Sequence, residues 1–169
     1  MHVMVVDDDT FILDLLTTIL TVDGRHTVDC MVSPVDAIRA LSKNSGKYDC
    51  LIFDIIMPEM NGIELCRLAR SMPELDNTPI LMLTAKRETK YLVDAMHAGA
   101  SDYITKPFEV AEIDFRMNAA IHLHSSRRNM KRSNERISQG GSSRSNKPMI
   151  TKSEIMSIFA DELYKYNKK

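Results

Sequence analysis

Three consecutive aspartates, Asp7, Asp8 and Asp9, follow the apolar run Val3 to Val6, and a fourth acid, Asp54, follows Leu51-Ile52-Phe53. Like charges held this close repel one another and resist burial unless something positive lies between them. Thr84 closes another apolar run, Leu81-Met82-Leu83, and Lys106 comes just after Tyr103-Ile104-Thr105. If each run is a strand of one parallel sheet, Asp7, Asp8, Asp54, Thr84 and Lys106 converge at its carboxyl edge, where open α/β sheets bind ligands. Clustered carboxylates with room for water suit Mg²⁺, a hard cation that keeps part of its hydration shell. A lysine and a hydroxyl beside them can neutralise and hydrogen-bond phosphoryl oxygens. A carboxylate in that setting can be the nucleophile that becomes an acyl phosphate, and Asp54 is the best placed. Taken singly, an aspartate at a strand end is usually a turn former, and Asp9, immediately before Thr10, reads as a helix cap. The joint spacing is what points to a site.

The elements that must hold these groups are visible as alternation. Short β-branched runs at about 2–6, 26–31, 48–53, 79–83 and 101–104 alternate with segments of helical period, the pattern of a parallel sheet covered on both faces. Phe11-Ile12-Leu15-Leu16-Ile19, Ala37-Ile38-Leu41, Ile63-Leu65-Cys66-Ala69 and Leu92-Val93-Met96 supply the apolar faces, and a last helix opens after Pro107. The fold class is thus α/β, a doubly wound five-stranded parallel sheet.

The chain has 169 residues with 22 Lys+Arg against 23 Asp+Glu. That length accommodates one ordinary domain and a modest appendage. Residues 1–124 carry 11 basic and 19 acidic side chains while 125–169 carry 11 and 4, so the near-neutral total hides a strong division. We read 1–124 as the folded domain, 125–139 as a basic continuation of the fifth helix, 140–148 as a flexible linker and 149–169 as a short amphipathic helix and tail. No apolar run approaches the roughly 18 residues of a membrane span, and the start of the chain lacks a secretory-signal pattern, so a cytoplasmic protein is expected. Cys30, Cys50 and Cys66, odd in number and without metal-type spacing, suit reduced, packed thiols.

These motifs, Val5-Val6-Asp7-Asp8-Asp9, the run from Leu51 through Asp54-Ile55-Ile56-Met57-Pro58-Glu59-Met60 to Asn61-Gly62, Leu81-Met82-Leu83-Thr84-Ala85 and Gly99-Ala100-Ser101-Asp102-Tyr103-Ile104-Thr105-Lys106-Pro107-Phe108, resemble the receiver domain of bacterial two-component response regulators over about residues 1–122. The resemblance implies the flavodoxin-like, CheY-like strand order 2-1-3-4-5. It implies phosphorelay signal transduction, in which Asp54 accepts a phosphoryl group from a histidine kinase or histidine phosphotransfer protein. Mg²⁺ would be held by Asp7, Asp8, Asp54 and the backbone carbonyl of Ile56, with Lys106 offsetting charge on the phosphoryl oxygens. Lys106-Pro107 would be cis. Thr84 and Tyr103 would form the switch, passing the change to the face made by the fourth helix, fifth strand and fifth helix. Such a chain catalyses only its own phosphorylation and dephosphorylation. Two positions tune the phosphoryl lifetime among relatives: Ile56, two residues after the acceptor, and Lys86, two after Thr84. The apolar Ile56 implies slow self-dephosphorylation.

Beyond the domain, Val110, Ile113, Met117, Ile121, His124, Met130 and Ile137 form an intermittent apolar seam of heptad-like spacing, too sparse to require a coiled coil. The bland reading of the accompanying charge run is a solvated helix face; the alternative is a stalk that joins two protomers as a homodimer through the fifth helix. Thr151-Lys152-Ser153-Glu154 fits a capping box ahead of Ile155, Ile158, Phe159 and Leu163, an amphipathic helix at about 152–165 that must dock on the domain, a second chain or a downstream protein partner. DNA is a disfavoured partner: the basic run from Arg127 to Arg136 could touch phosphates, but such contacts carry little sequence information. A transcriptional regulator with a minimal basic tail, or the N-terminal part of a regulator with a second-messenger output domain, are the competing readings. His122 and His124 point to different sides of a helix, and His97 falls at a helix end, so no phosphorylatable histidine is assigned.

Overall fold

The structure, a computed structural model, describes residues 1–85 and 89–138, with side chains to 126. Lys86, the linker at 140–148 and the amphipathic segment at 152–165 lie outside the described residues. The chain alternates β1 (His2–Val6), α1 (Thr10–Thr21), β2 (Thr27–Met31), α2 (Pro34–Asn44), β3 (Cys50–Asp54), α3 (Gly62–Ser71), β4 (Ile80–Thr84), α4 (Thr89–His97), β5 (Asp102–Thr105) and α5 (Val110–Ser138). All neighbouring strands are parallel and the order is β2-β1-β3-β4-β5. Because successive side chains of a strand point to opposite faces, the central strands feed two cores. Met4, Val6, Leu51, Phe53, Ile80 and Met82 pack with α2, α3 and α4. Val3, Val5, Cys50, Ile52, Leu81 and Leu83 pack with Leu13, Leu16 and Leu20 of α1 and Ile113, Met117 and Ala120 of α5.

The helix starts have local causes. Asp9 accepts the Phe11 N–H at 2.9 Å and begins α1. Ser33 caps α2 ahead of Pro34. Asn61 and Glu64 exchange side-chain and backbone bonds in a capping box, so Asn61-Gly62, which as a dipeptide signals a turn, here caps and opens α3. Arg70 on α3 donates to the carbonyls of Gly99, Leu75 and Thr78 at 2.8, 2.6 and 2.8 Å, tying the α3–β4 and α4–β5 connections together.

Several sequence expectations are corrected. In α1 the buried face is Leu13, Leu16 and Leu20, while Phe11 is 71% exposed and Leu15 also faces solvent. On α4, Val93 and Met96 are exposed and Ala95 alone is buried. Cys50 and Cys66 are buried free thiols, pushed up by burial to about 12 and about 11, but Cys30 is exposed, its Sγ 3.1 Å from the Thr17 hydroxyl. The expected seam on α5 divides: Ile113 and Met117 are core, whereas Val110 is exposed. His97 and His122 are exposed, and His124 meets Ser101 Oγ at 2.8 Å. No described helix is long and apolar enough to cross a membrane.

His26, just ahead of β2, is buried with neither ring nitrogen hydrogen-bonded. Burial holds its pKa below the ordinary 6.5, outweighing the attraction of Asp23 and Asp114. The folded state then binds fewer protons than the unfolded chain, and stability falls as pH drops through 6.5 toward the folded value. His26→Leu is expected to gain about 1 kcal/mol at neutral pH by removing an unsatisfied polar group. Thermal melts should show the variant losing less stability than the wild type between about pH 7.5 and about pH 5.5.

Candidate functional site

The carboxyl edge of the sheet brings β1, β3, β4 and the β5–α5 connection together, because each strand ends at the same height in the parallel register. Asp7 follows β1 and Asp54 ends β3, and both are almost fully buried. Among the described residues their charge is met by one cation: Lys106 Nζ lies 2.6 Å from Asp7 Oδ2 and 2.5 Å from Asp54 Oδ1. The lysine is itself held by its backbone, whose N–H donates to the Thr84 carbonyl at 2.7 Å, and the Lys106–Pro107 peptide is cis. The remaining carboxylate oxygens take backbone donors: the Ile56 N–H reaches Asp54 Oδ2 at 2.6 Å and the Asp9 N–H reaches Asp7 Oδ1 at 3.0 Å.

The electrostatics follow from two carboxylates sharing one ammonium in a dry place. Burial raises the Asp54 carboxyl above its ordinary range, helped by the neighbouring Asp7 charge and opposed by Lys106 and the Ile56 N–H. Burial works against the Lys106 charge, but Asp54 and Asp7 outweigh it and the ammonium is held more firmly than usual. One negative charge is left uncompensated inside, with exposed Asp8 beside it. Among the described residues no three His, Cys, Asp or Glu side chains form a ready-made metal cage. The donor chemistry nevertheless fits a hard divalent cation: all-oxygen ligands, surplus negative charge, and Asp8 at the solvent side where a partly hydrated ion would sit.

Asp7, Asp54 and Lys106 are therefore in direct contact, Thr84 is fully buried at the end of β4, and Asp8 stands at the rim. Ile56 is 47% exposed and lines a cleft with Met57, Asn61, Ile63, Arg67 and Tyr91. Tyr103 is part-buried against the α2–α3–α4 core. The guanidinium of Arg116 sits 5.8 Å above its ring and binds Asp102 at 2.9 Å and Glu112 at 2.9 Å.

Sequence reasoning missed Arg116, and it placed Gly62 in the motif after Asp54 without its close approach to β3. Arg116 was detectable only as a cation four residues after Glu112, a common helix pair. Gly62 lies so close to β3 that a Cβ there would stand 1.9 Å from the backbone oxygen of Asp54.

Residues 3–118 match the family model described as the response regulator receiver domain. The transcriptional regulatory protein SpaR of Bacillus subtilis is 38% identical over 140 residues, which are 80% of this chain and 58% of SpaR. The response regulator MprA of Mycobacterium ulcerans is 37% identical over 120 residues, 71% of this chain and 50% of MprA. The chain thus spans about half the length of the curated relatives it matches. Among solved structures, a Chloroflexus aurantiacus protein described as a response regulator superposes with a TM-score of 0.67 at 33% identity, covering 72% of this chain and 97% of that one.

Proposed function

Because the chain belongs to the response regulator receiver domain family, a signalling family of two-component systems, we propose that Asp54 accepts a phosphoryl group from a phosphohistidine on a histidine kinase or phosphotransfer protein in the cytoplasm. The observation that carries this is the single ammonium of Lys106 bridging Asp7 and Asp54. An Asp54 carboxylate oxygen forms the new P–O bond as the P–N bond to the donor imidazole breaks, and the electron pair leaves with the imidazole, which is protonated. Lys106 offsets charge on the transferring oxygens, so the protein's part is positioning and electrostatics. Asp7, Asp8, Asp54 and the carbonyl of Ile56 would hold Mg²⁺, which when bound supplies further neutralisation of phosphoryl charge. The Thr84 hydroxyl then turns toward a phosphoryl oxygen and Tyr103 repacks, changing the surface of α4, β5 and α5. Incubating the protein with a small acyl phosphate and Mg²⁺ and measuring intact mass tests the reading. One phosphoryl adduct is expected, lost in Asp54→Ala; its absence at generous donor overturns the assignment.

The apolar side chain of Ile56, half exposed beside the acceptor, hinders the placement of an attacking water. Ile56→Asn is expected to speed decay of the phosphorylated protein by about tenfold, a typical gain from orienting one reactant. Unchanged decay would remove Ile56 from the hydrolytic step.

A DNA-directed output is the second reading, favoured by the likeness to SpaR, a transcriptional regulatory protein, and by the five basic residues between Arg127 and Arg136. It requires gel shifts that discriminate one duplex from random sequence and survive physiological salt, because backbone contacts alone fade as salt rises.

A further inference from the structure

The amphipathic segment at 152–165 carries an acid where its apolar stripe calls for another large side chain. Ile155, Ile158 and Phe159 begin the stripe at i, i+3 and i+4, Leu163 continues it at i+8, and the i+7 position is Glu162. A groove that takes such a face by its i, i+3, i+4 and i+7 anchors meets apolar side chains and one carboxylate together. A carboxylate carried into an interface is strongly unfavourable unless a cation faces it. The receiving surface must therefore be apolar with an unpaired positive charge at its edge. That is an unusual demand on a domain whose residues 1–124 carry 11 basic against 19 acidic side chains.

The described surface meets the demand between α3 and α4. A cleft of about 610 Å³ opens there, with Ile56, Met57 and Ile63 on its floor and Arg67, Lys90 and Tyr91 along its rim. Arg67 and Lys90 are both exposed, and among the described residues neither makes an ion pair or a hydrogen bond; Asp94 is the one acid of the lining. Two further clefts have the wrong charge. The cleft between α1 and α5 is lined by Arg25, but Asp23 and Asp114 already hold that guanidinium. The cleft at the amino edge of the sheet is lined by Asp49 and Glu74 and by no lysine or arginine, and the Met1 ammonium beside it donates to the Arg25 carbonyl at 2.7 Å.

The chain is long enough to bring the segment to α3 and α4. His124 meets Ser101, the residue before β5, so α5 leaves the domain at the amino edge of the sheet. Ser138 lies about 21 Å further along the helix, at about 1.5 Å per residue, and the sheet adds about 16 Å at about 3.3 Å per residue. The 13 residues from 139 to 151 span at most about 45 Å, which covers the return. A segment tethered in this way meets the cleft at a high effective concentration, so individually weak contacts suffice.

We propose that residues 152–165 dock in the α3–α4 cleft of their own domain, with Ile155, Ile158 and Phe159 against Ile56, Met57 and Ile63 and with Glu162 between Arg67 and Lys90. The docked segment covers Ile56, whose N–H holds Asp54 Oδ2 at 2.6 Å, and narrows the approach to that carboxylate. The effect on Asp54 rests on the acceptor reading above; the docking does not.

In the full chain with the exposed Cys30 changed to serine, a nitroxide on Ser157→Cys, off the apolar stripe, reports where the segment lies. The ¹⁵N amide signals of Arg67, Lys90 and Tyr91 should be lost to broadening, while those of Asp23 and Asp49, beside the other two clefts, persist. Glu162→Arg, Arg67→Glu and Phe159→Ser should each relieve the broadening, and Glu162→Arg combined with Arg67→Glu should restore it, a recovery that only a direct charge contact gives. Mixing nitroxide-bearing chains with ¹⁵N chains that lack the nitroxide should leave the ¹⁵N signals unchanged. A segment docked in about nine chains of ten leaves one in ten open, so Glu162→Arg should gain the phosphoryl adduct from acetyl phosphate and Mg²⁺ about tenfold faster by intact mass. No broadening at the cleft, broadening that survives both charge reversals, or broadening in the mixed sample overturns the docking. Equal uptake by wild type and Glu162→Arg overturns the control of Asp54. If neither protein gains an adduct, the acceptor reading has failed, and the nitroxide result still decides the docking.

Discussion

Lys106→Met is expected to slow phosphoryl incorporation at Asp54 by about 10²–10³-fold, the usual loss when one preorganised electrostatic contact to a transferring group is removed. The reason is positional: among the described residues Lys106 is the cation within 4 Å of both buried carboxylates, and methionine keeps the stem while deleting the charge. The same change has a distinct signature in stability. Without the ammonium, Asp54 faces the Asp7 charge with nothing to offset it, and its carboxyl moves further above the raised value it already has beside Lys106. A folded-state pKa above the unfolded one means that the folded protein binds more protons, so the contribution is present at low pH and lost as pH rises through the folded value. The variant's stability relative to wild type should therefore worsen from about pH 5 to about pH 8, by up to the roughly 3–5 kcal/mol typical of a broken buried pair, discounted because the lysine is 19% exposed. Millimolar Mg²⁺ should raise the melting temperature of the variant more than that of the wild type, since the ion takes over the missing charge. Equal rates of incorporation in the two proteins would remove Lys106 from the transfer step.

How far the site was readable follows from how its residues are placed. Asp7, Asp54 and Thr84 each close an unbroken apolar run and Lys106 follows the short strand-like Tyr103-Ile104-Thr105, and in a parallel sheet the ends of such runs must coincide, so their convergence required no tertiary information. The helix faces were harder. In Phe11-Ile12-Leu13-Asp14-Leu15-Leu16 nearly every position is apolar, so more than one stripe of helical period can be drawn, and only the position of the sheet selects Leu13, Leu16 and Leu20. On α5 the apolar seam mixes Ile113 and Met117, which serve the core, with Val110, which the structure leaves exposed. One network away from the strand ends left no trace in the sequence. Asp29 takes bonds from Lys47 Nζ at 2.5 Å and Tyr48 Oη at 2.8 Å and lies 3.1 Å from His2 Nε2. Burial would raise its carboxyl, yet Lys47, His2 and Tyr48 together lower it to about 2. Nothing in the spacing of those four residues announces such a network.

Gly62→Ala is expected to be among the most damaging single substitutions in the domain, at least about 3 kcal/mol by urea denaturation, because it overfills a place that has no side chain to move. A methyl group at residue 62 would stand 1.9 Å from the Asp54 backbone oxygen, 2.8 Å from its carbonyl carbon and 3.2 Å from the Ile55 Cα. All three are backbone atoms at the end of β3, where Asp54 sits, and the Ile55 carbonyl also accepts the Gly62 N–H at 3.0 Å. Relief therefore requires α3 to back away from β3, which breaks that bond, strains the Asn61–Glu64 capping box and displaces Ile56, whose N–H holds Asp54 Oδ2. Loss of stability and loss of phosphoryl incorporation should accordingly appear together in this variant. Gly46→Ala is the matched control: a Cβ there meets nothing within 4 Å and its φ is negative-side backbone open to any residue, so the alanine should be neutral or stabilise by about 0.5 kcal/mol through the unfolded chain. Equal denaturation midpoints for the two alanine variants would show that β3 and α3 are not held as close as the acceptor geometry requires.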